Sequence, residues 1–119
     1  MRDFRELRVW EKAHHFTLQI YRITKNFPSD EQFGLTVQLR RAAASVPTNI
    51  AEGCVRDSER ELARFMSIAG GSASEVEYQL LLACYLNYIQ DETYRELNHQ
   101  VNEVKMMLNS FIQKLTANG

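Results

Sequence analysis

Apolar residues recur every three or four positions through most of the chain. That spacing predicts helices throughout and no strands. Val9, Ala13, Phe16, Ile20, Ile23 and Phe27 make the stripe of a first helix over about 7–26, with Trp10 beside it. Pro28 stops that helix, because proline disfavours helical geometry in the residue before it. Ser29 with Gln32 three residues on reads as a capping box, opening a second helix over about 30–52. Pro47 inside it cannot donate to residue 43, which predicts a kink or a short break, and Gly53 reads as its end. Ser58 with Glu61 is a second capping box. The third helix, over about 58–88, carries Leu62, Phe65, Ala69, Ala73, Val76, Leu80 and Cys84 as its main stripe. Gly70 and Gly71 fall in its middle at a cost of about 1 kcal/mol each relative to alanine, which implies the close approach of a neighbouring helix. Asp91 is a good N-cap for a fourth helix over about 92–116. There Tyr94, Leu97, Val101, Val104, Leu108, Phe111 and Leu115 alternate spacings of three and four, as in a coiled-coil seam. The short connections after helices one and three make those pairs antiparallel neighbours. The expected architecture is an all-α, antiparallel, up-down-up-down four-helix bundle filling one domain, 1–119.

The second helix departs from a simple surface helix. Leu35, Leu39, Ala42, Val46 and Ile50 make one apolar stripe, and Phe33, Val37, Ala44 and Ala51 make another about 150° away. The third helix is also broad, with Ile68, Leu82, Tyr85 and Leu86 outside its main stripe. A second apolar face must meet a wide core or another subunit, and homo-oligomerisation is the expectation. A polar stripe of Gln38, Arg41, Ser45, Asn49 and Glu52 lies between the two apolar ones, and Ser72, Glu75 and Gln79 flank the core stripe of helix three. Polar groups at a packed face must be paired. These residues therefore read as a buried or interfacial network, with Arg41 paired to Glu52 or Glu75, the alternative being a ligand or nucleic-acid site.

Composition removes several function classes. Of the 119 residues, 14 are Lys or Arg and 15 are Asp or Glu, a net charge of −1. Residues 1–60 carry ten basic against eight acidic side chains, and residues 61–119 carry four against seven, so neither half is the basic arm of a generic nucleic-acid binder. The charged start MRDFRELRVW lacks the apolar run of a signal peptide, and no apolar stretch reaches the ~18 residues of a membrane span. A cytoplasmic protein is expected. Cys54 and Cys84 lack metal-ligand spacing and read as buried free thiols. Glu11-x-x-His14 and Glu96-x-x-His99 resemble di-iron bundle motifs. On the helical wheel, however, Glu11 lies about 165° from its apolar stripe and His99 about 180° from its own, whereas such ligands project inward. No phosphate loop, paired-cysteine motif or nucleophile elbow is present. No enzyme, cofactor or metal is therefore expected. The remaining candidate is basic: Arg40 and Arg41 are adjacent, and Arg56, Arg60 and Arg64 follow at spacings of four and form a ridge able to grip phosphates, with Arg40 as a further candidate contact. Asp57, Glu59 and Glu61 are interspersed, and a salt-bridged helix start is the alternative.

Three segments carry a resemblance. FRELRVWEKA at 4–13, FPSDEQFGLTVQLRRAAASVPTNIAEG at 27–53 and IAGGSASEVEYQLLLA at 68–83 resemble the bacterial four-helix-bundle proteins named for reading frames within intervening sequences of 23S ribosomal RNA genes. The resemblance implies a left-handed bundle assembled as a homopentamer, with no catalytic residues. It also implies kinship with the accessory protein of diversity-generating retroelements, a basic pentamer working beside a reverse transcriptase and its template RNA. The implied partners are further copies of the chain and RNA or an RNA-processing protein. Those relatives are strongly basic, whereas this chain is near neutral.

Overall fold

The computed structural model describes residues 1–117, so the last two residues of the expected domain lie outside the described ones. Four helices account for most of the chain: α1 Arg8–Thr24, α2 Leu35–Cys54, α3 Glu59–Tyr85 and α4 Asp91–Thr116. No strand occurs among the described residues. The helices pack side by side into a bundle measuring 46 × 23 × 20 Å. One apolar core runs along it, drawing Ile20 from α1, Leu39 and Ile50 from α2, Leu80 from α3, and Val101 and Leu108 from α4. The predicted stripes supply most of this core. On α3 the stripe is shifted: Met66 is fully buried, while Phe65 and Cys84 are only half-buried.

The helix ends show where local sequence and packing disagree. Ser29–Glu31 forms a single 3-10 turn, and α2 begins only at Leu35. The polar run from Ser29 to Gly34 offers only Phe33 for burial, and that ring is 87% exposed. With nothing to pack, the first turns of an α-helix are not held. The Ser29–Gln32 box is therefore not the start of α2. Glu31 does that work instead, its Oε1 accepting the Leu35 N–H at 3.0 Å and its Oε2 the Tyr88 hydroxyl at 2.8 Å. Ser58 does cap α3, its Oγ accepting from Glu61 N at 3.1 Å. Asp91 is the first residue of α4 rather than its cap, which is Gln90. At the end of α3, Tyr88 N donates to Ala83 O and Asn87 N to Cys84 O, with Asn87 at φ 63°. That is a Schellman motif closed by a left-handed asparagine.

Pro47 does not break α2, which is helical from Leu35 through Cys54. The carbonyl that loses its donor belongs to Ala43, and the Thr17 hydroxyl of α1 shares its one proton between Ala13 O at 2.8 Å and Ala43 O at 3.1 Å. The glycines take other roles than their sequence context implies. Gly53 lies within α2, where a Cβ would stand 2.9 Å from Leu62 Cδ1 and from Phe65 Cβ, so it allows α2 and α3 to approach. Gly70 and Gly71 have nothing among the described residues within 4 Å of a Cβ position, so neither serves the close approach of a helix of the same chain. Finally, Arg2 N donates to Cys54 O at 2.9 Å, which draws the first residues across the end of α2.

Candidate functional site

The polar stripe of α2 meets α3 along an outer seam rather than inside the bundle. Ser45 Oγ and Ser72 Oγ stand 2.9 Å apart across it. Asn49 Nδ2 donates to Ser45 O at 2.8 Å and to Ser45 Oγ at 2.9 Å. On the α3 side Gln79 Nε2 donates to Glu75 Oε2 at 3.3 Å, and the buried Gln79 Oε1 is left without a partner. The expected pairing of Arg41 is not formed. Arg41 is exposed and makes no ion pair among the described residues, while Glu52 is taken by Arg56 at 3.2 Å. Gln38, Arg41 and Glu52 all reach solvent. Exposed charges on long side chains need no partner, which is why this stripe satisfies the helix without forming a closed network.

The arginines divide into two places. Arg40, the candidate contact outside the ridge, is engaged by α1. Its Nε donates to Thr24 Oγ1 at 2.7 Å and its Nη2 to Tyr21 O at 3.3 Å, and its guanidinium lies 5.0 Å from the centre of the Tyr21 ring. It thus sits against the C-terminal turn of α1, where a cation complements the exposed carbonyls. Arg56 and Arg64 converge on Phe65, with guanidinium carbons 4.8 Å and 4.6 Å from that ring centre. Each also holds a carboxylate: Arg56 has Glu52, and Arg64 has Glu61 at 3.0 and 3.2 Å. The Arg64 guanidinium keeps the Glu61 carboxyl below the usual carboxylate range. Arg60 is exposed and has no ion pair among the described residues.

The histidine motifs lie at the surface. Glu11 is 4.0 Å from His15, and His14 stacks on Trp10 at 4.9 Å with the planes 7° apart. Glu96 and His99 are exposed. Among the described residues no group of three or more His, Cys, Asp or Glu side chains is placed to hold a metal ion. Both cysteines are free, Cys54 buried and Cys84 half-buried. Burial pushes the Cys54 thiol up from its ordinary pKa. No described helix is long and apolar enough to cross a membrane.

The second apolar face of α2 stays largely uncovered. Phe33 is 87% and Val37 37% exposed, and Ala44 and Ala51 are half-buried. Ala44 and Ala51 form the floor of a shallow groove of about 520 Å³, whose other walls include Phe4, Trp10, Pro47 and Val55. Phe4 and the Trp10–His14 stack were not singled out from the sequence as part of a face. The i, i+4 spacing of Trp10 and His14 was the available signal, whereas Phe4 reaches the face through a 3-10 turn that periodicity does not see.

The family model described as "23S rRNA-intervening sequence protein" matches residues 5–110. Among solved structures, the chain is similar to a protein of unknown function from the S23 ribosomal protein family of Bacteroides thetaiotaomicron VPI-5482. The two share 28% identity and a TM-score of 0.82, over 88% of this chain and 95% of that one. No curated protein matches the chain.

Proposed function

The chain belongs to the 23S rRNA-intervening sequence protein family, and we propose that it acts there as a non-enzymatic, homo-oligomeric interaction module. The observation that carries this reading is the second apolar face of α2, with Trp10 and Val55 at its edges, which the chain's own helices leave open. Apolar area left in water forgoes about 25 cal/mol per Å², and a bundle of this size has little stability to spare. The shifted carboxyl groups also support a structural role. Each is explained by a pairwise contact, such as Glu77 with Lys105 or Glu103 with Lys12, and not by convergence in a cleft. Five copies are the number that the family resemblance implies, and a cytoplasmic setting suits two free thiols. Light scattering after size exclusion tests the proposal. The expected mass is five times the 13.8 kDa protomer, and a clean monomer at micromolar concentration overturns it. Ala51→Glu, in the groove floor, is expected to dissociate the assembly while helical circular dichroism is retained.

A second reading rests on Arg56, Arg60 and Arg64, exposed together at the start of α3. Repeated around an oligomer, this ridge would present several cationic patches to RNA. Two of its three members are already neutralised by Glu52 and Glu61, so Arg60 is the member that matters most. Binding of structured RNA is expected to weaken steeply with salt and on Arg60→Glu. Absence of binding at low salt removes this reading.

A further inference from the structure

α4 is 26 residues long, but α1 beside it is only 17. Lys12, in the second turn of α1, already reaches Glu103 midway along α4, at 2.8 Å. Past Arg8 there is no more α1 to cover the rest of that flank; the preceding residues bond the end of α2 through Arg2 N, while the Arg2 guanidinium lies 5.6 Å from the centre of the Phe111 ring at the groove's edge. The mismatch leaves a groove of about 820 Å³ whose apolar walls are Val9, Met107, Phe111 and Leu115, with Met106 at its lip, 72% exposed. That volume falls among those of small-molecule sites, ~300–1,000 Å³, and unbranched thioethers adapt to what they contact.

The charges on the groove are not balanced. Its two acids are spoken for: Glu59 pairs with Arg2 at 3.8 Å and Glu103 with Lys12. Arg8 and Lys114 line the same groove and make no ion pair among the described residues. The uncompensated charge is therefore positive and stands beside an apolar wall. We propose that this groove binds an amphipathic carboxylate, an unbranched apolar chain laid along Met107, Phe111 and Leu115 with its anionic head held by Arg8 and Lys114. The groove lies on a different face from the α1–α2 groove; because a ring of five pairs each such groove with a second, unlike face of the neighbouring copy, the inference rests on that second face lying elsewhere on the molecule.

Titration calorimetry with sodium dodecanoate, kept below micelle formation and at low salt, is the test. Saturable binding of one dodecanoate per chain is expected. The double charge reversal Arg8→Glu/Lys114→Glu should weaken it by about tenfold or more, the size of one charge-assisted hydrogen bond. Both positions are exposed, so that variant keeps the fold. Met107→Gln should also weaken binding, and dodecyltrimethylammonium should not compete. No saturable binding overturns the proposal, as does binding indifferent to both variants or equal binding of the cationic surfactant. Sedimentation with phosphatidylglycerol vesicles without binding of monomeric dodecanoate would assign the groove to a membrane surface and overturn it equally.

Discussion

The Thr17 hydroxyl repairs a defect that another helix carries. Pro47 removes the N–H that Ala43 O would accept in a regular helix, and Thr17 Oγ1 supplies the replacement. Thr17→Val is expected to cost about 1 kcal/mol, the net value of such a bond. In a Pro47→Ala background the carbonyl regains its backbone donor, and the cost should shrink. Urea denaturation of the four proteins of this cycle measures the coupling, and equal costs in both backgrounds would refute the account. The glycines make a second prediction of opposite signs. Gly53→Ala forces a Cβ to within 2.9 Å of α3 and should destabilise by about 1–3 kcal/mol. Gly70→Ala, with open space around it, should stabilise the isolated chain by about 0.5–1 kcal/mol, read from urea midpoints at high dilution. Neither role was legible in the sequence, because a glycine within a helical pattern has the same signature whether it ends the helix, admits a neighbour or faces solvent.

Between elements, two of the ties are carboxylates. Glu31 joins the turn before α2 to Tyr88 after α3, and Glu77 of α3 accepts from Lys105 at 2.8 Å and Asn102 at 2.9 Å on α4. The Leu35 N–H, and then the Tyr88 hydroxyl, hold Glu31 below the usual carboxylate range. Lys105, and then Asn102, do the same for Glu77. A carboxyl depressed by folding contributes stability that is fully present above its unfolded pKa, about 4.3, and lost as pH falls through the folded value. The urea midpoint is therefore expected to stay level from neutral pH down to about 5 and to fall below about 4.3. Glu31→Gln and Glu77→Gln should each flatten that fall. Element existence was readable because the stripes of α1, α2 and α4 are long and regular, and their middle residues are buried as expected. Boundaries were less readable where capping came from elsewhere. Ser29 and Gln32 have the letters of a box, but the residue that caps α2 is Glu31, and its geometry depends on a 3-10 turn and on Tyr88, 57 positions away.

For the whole molecule, the helical wheel of α2 was the most informative sequence feature. Two apolar stripes cannot both face the interior of a slender bundle, and only the stripe of Leu39, Val46 and Ile50 does so. The fate of Arg41 was not readable. A wheel assigns a direction to its Cα, whereas the length of the side chain lets the guanidinium leave the seam for solvent. If the open stripe is covered by further copies, folding and assembly share one equilibrium, and the thermal midpoint should rise with protein concentration. A concentration-independent midpoint would identify a self-sufficient protomer.

The strap formed by Arg2 over the end of α2 gives the molecule a built-in clock. The Cys54 thiol lies beneath it, almost wholly shielded at 1% exposure, while Cys84 is half-open near the other end of the bundle. A thiol reagent should mark Cys84 first and Cys54 only when the strap and the α2 terminus open, so the lag between the two reports that opening. Deleting the residues before Phe4 should shorten the lag without altering the Cys84 phase, turning one backbone hydrogen bond into a measurable waiting time.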